Sequence, residues 1–533
     1  MIRTWFASPV VCLTMAGLMG LGLSGCAQHN YKGEADEQAY GIIDQKWQDR
    51  FGTKANYKIS DVAPDPNDIQ VKNEPTTFEV LTLPQAVALA TAHNRDYQTQ
   101  KEALYIKALD LRLTRHEFET QFFGGATGGY NADRNDEAIG VETSAGFNRL
   151  LAGGTRISAR LAGAWVDVLS GNLRSGLASI LSVTVAQPLL RGSDRRVVVE
   201  NLTQAERDTL YEVRSFNRYR QAFVVSVISQ YYGVLQRYDA VKNAENHYMT
   251  LGWLDQRVAD LAGAGRVPLL ELDQVRQEKL QAANTYSTAQ RQYEQALDEF
   301  KITLSLPATA KLQLDEKEFE ALGQTKMTEP DFSEAEVVEA ALLQRLDVAN
   351  TADAVIDAQR KVFVATDGLR AGANLVGTAG VTSARRGDRQ RLGWLAEEYG
   401  LGVELDLPLD RVAEQNVYRK ALITLNQRQR EYDQAADTVT LEVRQAHRDL
   451  TEAAERYKVS SDALKLAQQR FNKTFSLLQY GQASSRRVLS AQNDLLDAQN
   501  AASQALLDYT IATLSFYRDT GALQVLPDGM WKL

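Results

Sequence analysis

The chain has 533 residues, with 59 lysines and arginines against 68 aspartates and glutamates, and a formal charge of −9. An acidic balance argues against a nucleic-acid partner, which calls for basic surface. The two cysteines and five scattered histidines have no ligand-like spacing, so no metal site or other cofactor is expected.

In chain order, Arg3 and the apolar stretch from Phe6 to Leu23 form the pattern of a secretory signal. It ends at Leu23-Ser24-Gly25-Cys26, which resembles a bacterial lipobox. Residues 1–25 are therefore expected to be a lipoprotein signal peptide, and Cys26 the lipidated residue, its thiolate forming the thioether. Cys12 would leave with the signal, so no disulfide is expected in the mature chain. Ala27, where an aspartate tends to retain such lipoproteins at the inner membrane, implies the outer membrane and a lipid anchor there. Past the signal no stretch approaches about 18 apolar residues, so any bilayer crossing must use strands.

Residues 26–80 hold Pro64, Pro66 and Pro75 and read as a mostly irregular leader. Thr82 caps a helix, with Pro84 in its first turn, that is predicted to reach about Glu119. A Gly-rich alternating region follows to Pro188. A long helix is predicted over 195–262, then a break at Ala262-Gly263-Ala264-Gly265 and a shorter helix over 268–304. The plan then restarts. Asp331 or Ser333 caps a helix to about Leu369, an alternating region spans 372–410, a second long helix covers 413–480, and a shorter one 484–518. Asn94-Arg95-Asp96-Tyr97 aligns with Arg345-Leu346-Asp347-Val348, Gln187-Pro188-Leu189 with Leu407-Pro408-Leu409, and Gly265 with Gly481. This is an internal duplication. The expected organisation is a repeat over 81–310, a linker over 311–332, a second repeat over 333–522 and a tail over 523–533.

Each half has one helix of about 68 residues, roughly 100 Å long, and two of about half that length. Two short helices laid end to end match one long one, so two coiled-coil pairs are expected to stack along one axis in each half. The apolar stripes agree: Val224, Val227, Tyr231, Val234, Tyr238, Val241, Tyr248, Leu251, Val258 and Leu261 in the first half, and Tyr432, Ala435, Val439, Val443, Ala446, Leu450, Ala453, Tyr457, Leu464, Ala467, Phe471 and Leu478 in the second. Their spacings are mainly three, four or seven.

Four segments read as strands. In Glu398 to Leu407 one face shows Tyr399, Leu401, Val403, Leu405 and Leu407, the other Glu398, Gly400, Gly402, Glu404 and Asp406. Residues 181–186 alternate similarly, and 122–131 and 373–382 are Gly-rich candidates to pair with them. Trp165 and Trp394 suit membrane interfaces, and the charged run 385–391 suits a solvated loop. Four strands cannot close a barrel, since about eight is the lower limit for a single chain, whereas a trimer would supply about twelve. Residues 141–167, with a hairpin turn at Leu151-Ala-Gly-Gly-Thr155, are left over. They suit an extracellular extension, a periplasmic flap or added barrel strands. The fold class expected is mainly α with a β-barrel part, in two repeats of long antiparallel helical hairpins with about four membrane strands per protomer.

The run Leu81-Thr-Leu-Pro-Gln-Ala-Val-Ala-Leu-Ala90 with Asn94, the run Val185-Ala-Gln-Pro-Leu-Leu-Arg-Gly192, and the paired turns at Gly265 and Gly481 resemble the TolC-type outer-membrane efflux family, in its lipidated branch. The resemblance covers about residues 80–522. It implies a homotrimer with a twelve-stranded outer-membrane barrel and a helical periplasmic tunnel, docked onto a periplasmic adaptor and an inner-membrane pump. The function implied is passive export in tripartite efflux or type I secretion. It also implies that Gly265, Arg266, Val267, Gly481, Gln482 and Ala483 meet the adaptor at the tips. Where some members carry gate aspartates, this chain has Arg487 and Ser490, with Glu271 at the matching first-half position. An acidic, cation-binding gate is therefore not expected. Arg486 or Arg487 would repel cations or pair with Glu271. No catalytic triad, metal cluster or phosphate loop is present, so no enzyme is expected. The alternative to a duct is a lipid-anchored periplasmic coiled-coil scaffold without a pore. The apolar stripe of 398–407 opposes it, because a scaffold has no use for a lipid-facing strand.

Overall fold

The computed structural model describes residues 31–532 apart from 49–50, 52–53, 55, 60–79, 133–136, 169–175, 325–332, 386–391, 408 and 527–530. Cys26, the signal peptide and most of the charged run 385–391 lie outside the described residues, as does the side chain of Trp394. The first repeat and the helix before it comprise α1 (Tyr31–Lys46), α2 (Leu83–His93), α3 (Arg95–His116), β1 (Gln121–Ala132), β2 (Glu137–Leu150), β3 (Arg156–Val168), β4 (Gly176–Pro188), α4 (Arg195–Val198), α5 (Glu200–Gly263) and α6 (Leu269–Thr303). Then come α7 (Glu316–Gln324), α8 (Glu334–Gln344), α9 (Leu346–Gly368), β5 (Gly372–Arg385), β6 (Leu392–Asp406), α10 (Val412–Gln479), α11 (Ser485–Thr520), β7 (Gln524–Val525) and β8 (Trp531–Lys532).

The long helices pair as their lengths imply. α5 runs beside α2 and α3 along one half and α6 along the other, and α10 runs likewise beside α8, α9 and α11. The predicted stripes lie along the seams: Val224, Val227, Tyr231, Val258, Val439, Val443 and Leu450 are buried, while Tyr238, Tyr248, Tyr432, Tyr457, Leu464 and Phe471 are half-buried. Local chemistry starts both repeats alike. The Thr82 N–H donates to Gln85 Oε1 at 3.1 Å, and the Ser333 N–H to Glu336 Oε2 at 3.0 Å. Each reciprocates as a capping box and satisfies helix-end donors.

Three expectations need correction. First, each helix predicted to run unbroken before the strands is two, split at Asn94 and at Arg345. Both residues have extended ψ, 131° and 125°. Each break is fixed by a bond to a distant helix end: Asn94 Nδ2 donates to Thr303 O at 2.9 Å, and Arg345 Nη1 to Asp519 O at 3.4 Å. Asn94 Oδ1 also accepts from the Tyr97 N–H at 3.0 Å and so starts α3. Second, the leader is not mostly irregular where it is described. α1 docks on α3 and α5, burying Ala39, Ile43, Trp47 and Phe51 among Tyr97, Leu104, Leu111 and Phe216. Third, the sheet has six strands per protomer rather than about four, in the order β1-β2-β3-β4-β5-β6, all antiparallel. The leftover segment forms β2 and β3, and β1 pairs with β2 rather than with β4.

Candidate functional site

Two regions of the protomer have no internal role and so point outward: the sheet faces and the helical tips. Directly paired residues in an antiparallel ladder stand on the same side, so register fixes both faces of the sheet. One face carries Phe122, Tyr130, Val141, Phe147, Leu161, Trp165, Leu181, Val183, Val381, Tyr399, Leu401 and Val403, interrupted by Thr143, Arg149, Ser179, Gln187 and Glu397. The other carries Glu142, Asn148, Ser158, Arg160, Ser182, Thr184, Thr378, Asn374, Glu398 and Glu404, interrupted by Phe123, Ile180 and Val376. The apolar side is unpartnered in the protomer: Phe122, Tyr399 and Leu401 are 81%, 77% and 80% exposed. No described helix is long and apolar enough to cross a membrane, which leaves the sheet as the described surface suited to lipid.

The tips are built identically. Gly265 has φ +66° and Gly481 +70°, a left-handed backbone that glycine tolerates. At the first, the Gly265 N–H donates to Ala262 O at 3.0 Å and the Arg266 N–H to Leu261 O at 2.9 Å. At the second, the Gly481 N–H donates to Leu478 O at 3.0 Å and the Gln482 N–H to Leu477 O at 2.9 Å. Arg266 and Gln482 are exposed, while Val267 and Ala483 are half-buried. Leu251, Leu254, Val258, Leu272, Val275, Leu478, Val488 and Leu489 form one core that joins the two hairpins just above these turns.

Of the four residues singled out for an aperture, Glu271 reaches the second hairpin beside Arg486. Glu271 accepts from Ser485 Oγ, across from the first hairpin to the second, and Asn493 Nδ2 donates to Glu278 Oε1 at 2.6 Å one level higher. Arg486, Arg487 and Ser490 are exposed, and neither arginine makes an ion pair among the described residues. His247, buried on α5, is pushed below its usual pKa by burial, against the pull of Glu278 and Asp497.

The sequence reading missed the seam between the repeats. There α5 meets α9 through charge rather than apolar packing. Arg207 binds Asp353 at 2.9 Å and Asp357 at 2.5 Å, Arg214 binds Asp353 at 2.6 Å, and Arg360 binds Glu200 at 3.1 Å. Tyr211 donates to Asp357 Oδ2 at 2.6 Å. Glu200, Arg207 and Arg214 recur every seven residues, a charged heptad position that was open to view. At the break before α9, Arg345 is buried and bridges Asp347 and Glu442 at 2.6 Å each. Burial alone would raise the Asp347 carboxyl, yet the Arg345 hydrogen bonds and charge hold it below its usual range. Among the described residues no group of three or more acidic, histidine or cysteine side chains is placed to hold a metal.

No protein-family model matches the sequence, and no curated protein matches it significantly. Solved structures do match the fold. CusC, described in connection with transmembrane channel formation, aligns with 84% of this chain and 93% of its own at 17% identity and a TM-score of 0.59. The outer-membrane channel OprN aligns with 84% and 94% at 16% identity and 0.60. The CmeC outer-membrane channel of Campylobacter jejuni aligns with 89% and 94% at 16% identity and 0.58. The chain has the fold of the TolC-type outer-membrane channels.

Proposed function

We propose that this protein is the outer-membrane duct of a tripartite efflux or type I secretion assembly, a passive path from periplasm to exterior. It acts as a homotrimer, anchored through a lipid on Cys26 and extending into the periplasm. Its tips, at Gly265, Arg266, Val267, Gly481, Gln482 and Ala483, meet a periplasmic adaptor that links it to an inner-membrane pump. One observation carries the reading: a mainly apolar face extending over six antiparallel strands sits at one end of helices roughly 100 Å long. A poreless scaffold accounts for the helices but not for that face. The fold shared with outer-membrane channels supports the same conclusion.

The test is single-channel conductance in a planar bilayer with native mass measured on the same purified sample. A trimer with discrete conductance steps supports the duct. A monomer or dimer that never conducts overturns it in favour of the scaffold.

The tip arginines give the duct a basic closing aperture, in which Arg486 and Arg487 of three protomers ring the axis and repel cations. Their exposure, and the lack of an ion pair to either among the described residues, leave them available for that role. Loss of the closed state in Arg487→Ala supports it, and unchanged conductance and ion selectivity overturn it.

A further inference from the structure

We infer that the β2–β3 hairpin is part of the membrane wall, so that three copies of a six-stranded sheet close an eighteen-stranded barrel rather than a twelve-stranded one. This rests on the duct reading above.

Three independent features place the hairpin in the wall. The first is register. Val141, Ala145 and Phe147 on β2 pair with Trp165, Leu161 and Ala159 on β3, and Leu161 and Ala159 pair in turn with Leu181 and Val183 on β4. The mainly apolar face therefore runs through the hairpin without a change of side, broken there by Thr143 and Arg149, as does the polar face through Glu142, Ser144, Ser158 and Arg160. A flap standing in water needs no such match, because a one-residue slip would turn every side chain over.

The second is length. β2 and β3 have 14 and 13 residues, against 12 to 15 in the other four. Tilted by about 45°, strands of that length span roughly 30 Å, the thickness of a bilayer core.

The third is the docking of the turn. Four of the six strands continue into helices at the sheet's helical end, and the β2–β3 turn occupies the remaining place there. Gly154, at φ +83°, lies so close to the chain after β4 that a Cβ would stand 2.7 Å from Gly192 O and 2.8 Å from Pro188 Cγ. Thr155 Oγ1 bonds Gln187, whose Nε2 donates to Gly153 O at 3.3 Å. The turn is wedged into the junction between sheet and helices rather than standing clear of it.

The sheet's two edges are then β1 and β6. They run in opposite directions within a fully alternating sheet, so β6 of one copy meets β1 of the next as another antiparallel pair. Barrel width grows roughly linearly with strand number, so this wall is about half again as wide as a twelve-stranded one.

Single-cysteine variants in proteoliposomes, reacted with a charged, membrane-impermeant maleimide, test this, with the parent protein as the labelling control. Glu142→Cys, Ser144→Cys and Ser158→Cys are expected to react, and Val141→Cys, Ala145→Cys and Leu161→Cys to be protected. Thr378→Cys and Glu398→Cys, against Ala379→Cys and Leu401→Cys, report on the sheet outside the hairpin. Alternation in both sets supports the eighteen-stranded wall. Alternation in β5 and β6, with all hairpin positions reactive, overturns it while leaving the duct intact. No alternation in either set overturns the duct itself. A density map of the purified trimer counts the strands directly, and twelve overturns the inference.

Discussion

Gly265 and Gly481 each hold a positive φ with nothing within 4 Å of where a Cβ would stand. Space is not what excludes a side chain there; only the left-handed backbone does. Gly481→Ala should therefore cost about 1–2 kcal/mol, the usual penalty for that conformation, and Gly481→Asn less. Hydrogen exchange at the Gly481 and Gln482 amides reads this directly, and equal protection in all three proteins would contradict it. His247 makes a second prediction at this scale. Its folded pKa lies below its ordinary 6.5, so below that pH the unfolded chain binds a proton that the folded chain refuses. Stability present at pH 8 is lost as the pH falls through about 6.5. His247→Gln should narrow the difference in thermal stability between pH 8 and pH 5. The glycines were legible because positive φ has a residue signature. His247 was visible only as a scattered histidine, because its burial depends on how α5 meets α6 and α11.

At the scale of elements, what the sequence hid is what tertiary contacts impose. The apolar spacing of 84–119 runs straight through Asn94, with no Gly or Pro to mark a break. The break exists because Thr303 O, more than 200 residues away, accepts from the Asn94 side chain. α1 was hidden for a similar reason. Its residues Ala39, Ile42 and Ile43 make a short apolar stripe that becomes a helix by docking. Trp47, buried at the end of α1 with Arg220 5.6 Å from its ring, anchors that docking. Trp47→Ala should weaken it by about 3–5 kcal/mol. Limited proteolysis between residues 31 and 80 should then quicken, while cleavage at the tips stays unchanged. The β2–β3 hairpin was legible as a hairpin, but its place in the sheet stayed one of three options, since the choice of neighbour strand is non-local.

At the scale of the whole molecule, one pair of substitutions separates the two faces of the sheet. Leu401 lies on the apolar face and Thr378 on the polar one, in the same pair of strands. In a duct, the first meets hydrocarbon and the second an aqueous lumen. A lysine near the bilayer midplane of a barrel's lipid face costs about 2–4 kcal/mol, and a trimer carries that cost three times over. Leu401→Lys should therefore deplete assembled trimer from the outer membrane fraction. Thr378→Lys should assemble normally and shift ion selectivity toward anions, because the three added charges line the path. The order of the two effects is the decisive part. If Thr378→Lys blocks assembly while Leu401→Lys does not, the sheet is inside out relative to this reading. If neither matters, the apolar face never meets lipid, and the exposed Tyr399, Leu401 and Val403 would have to be covered by protein instead.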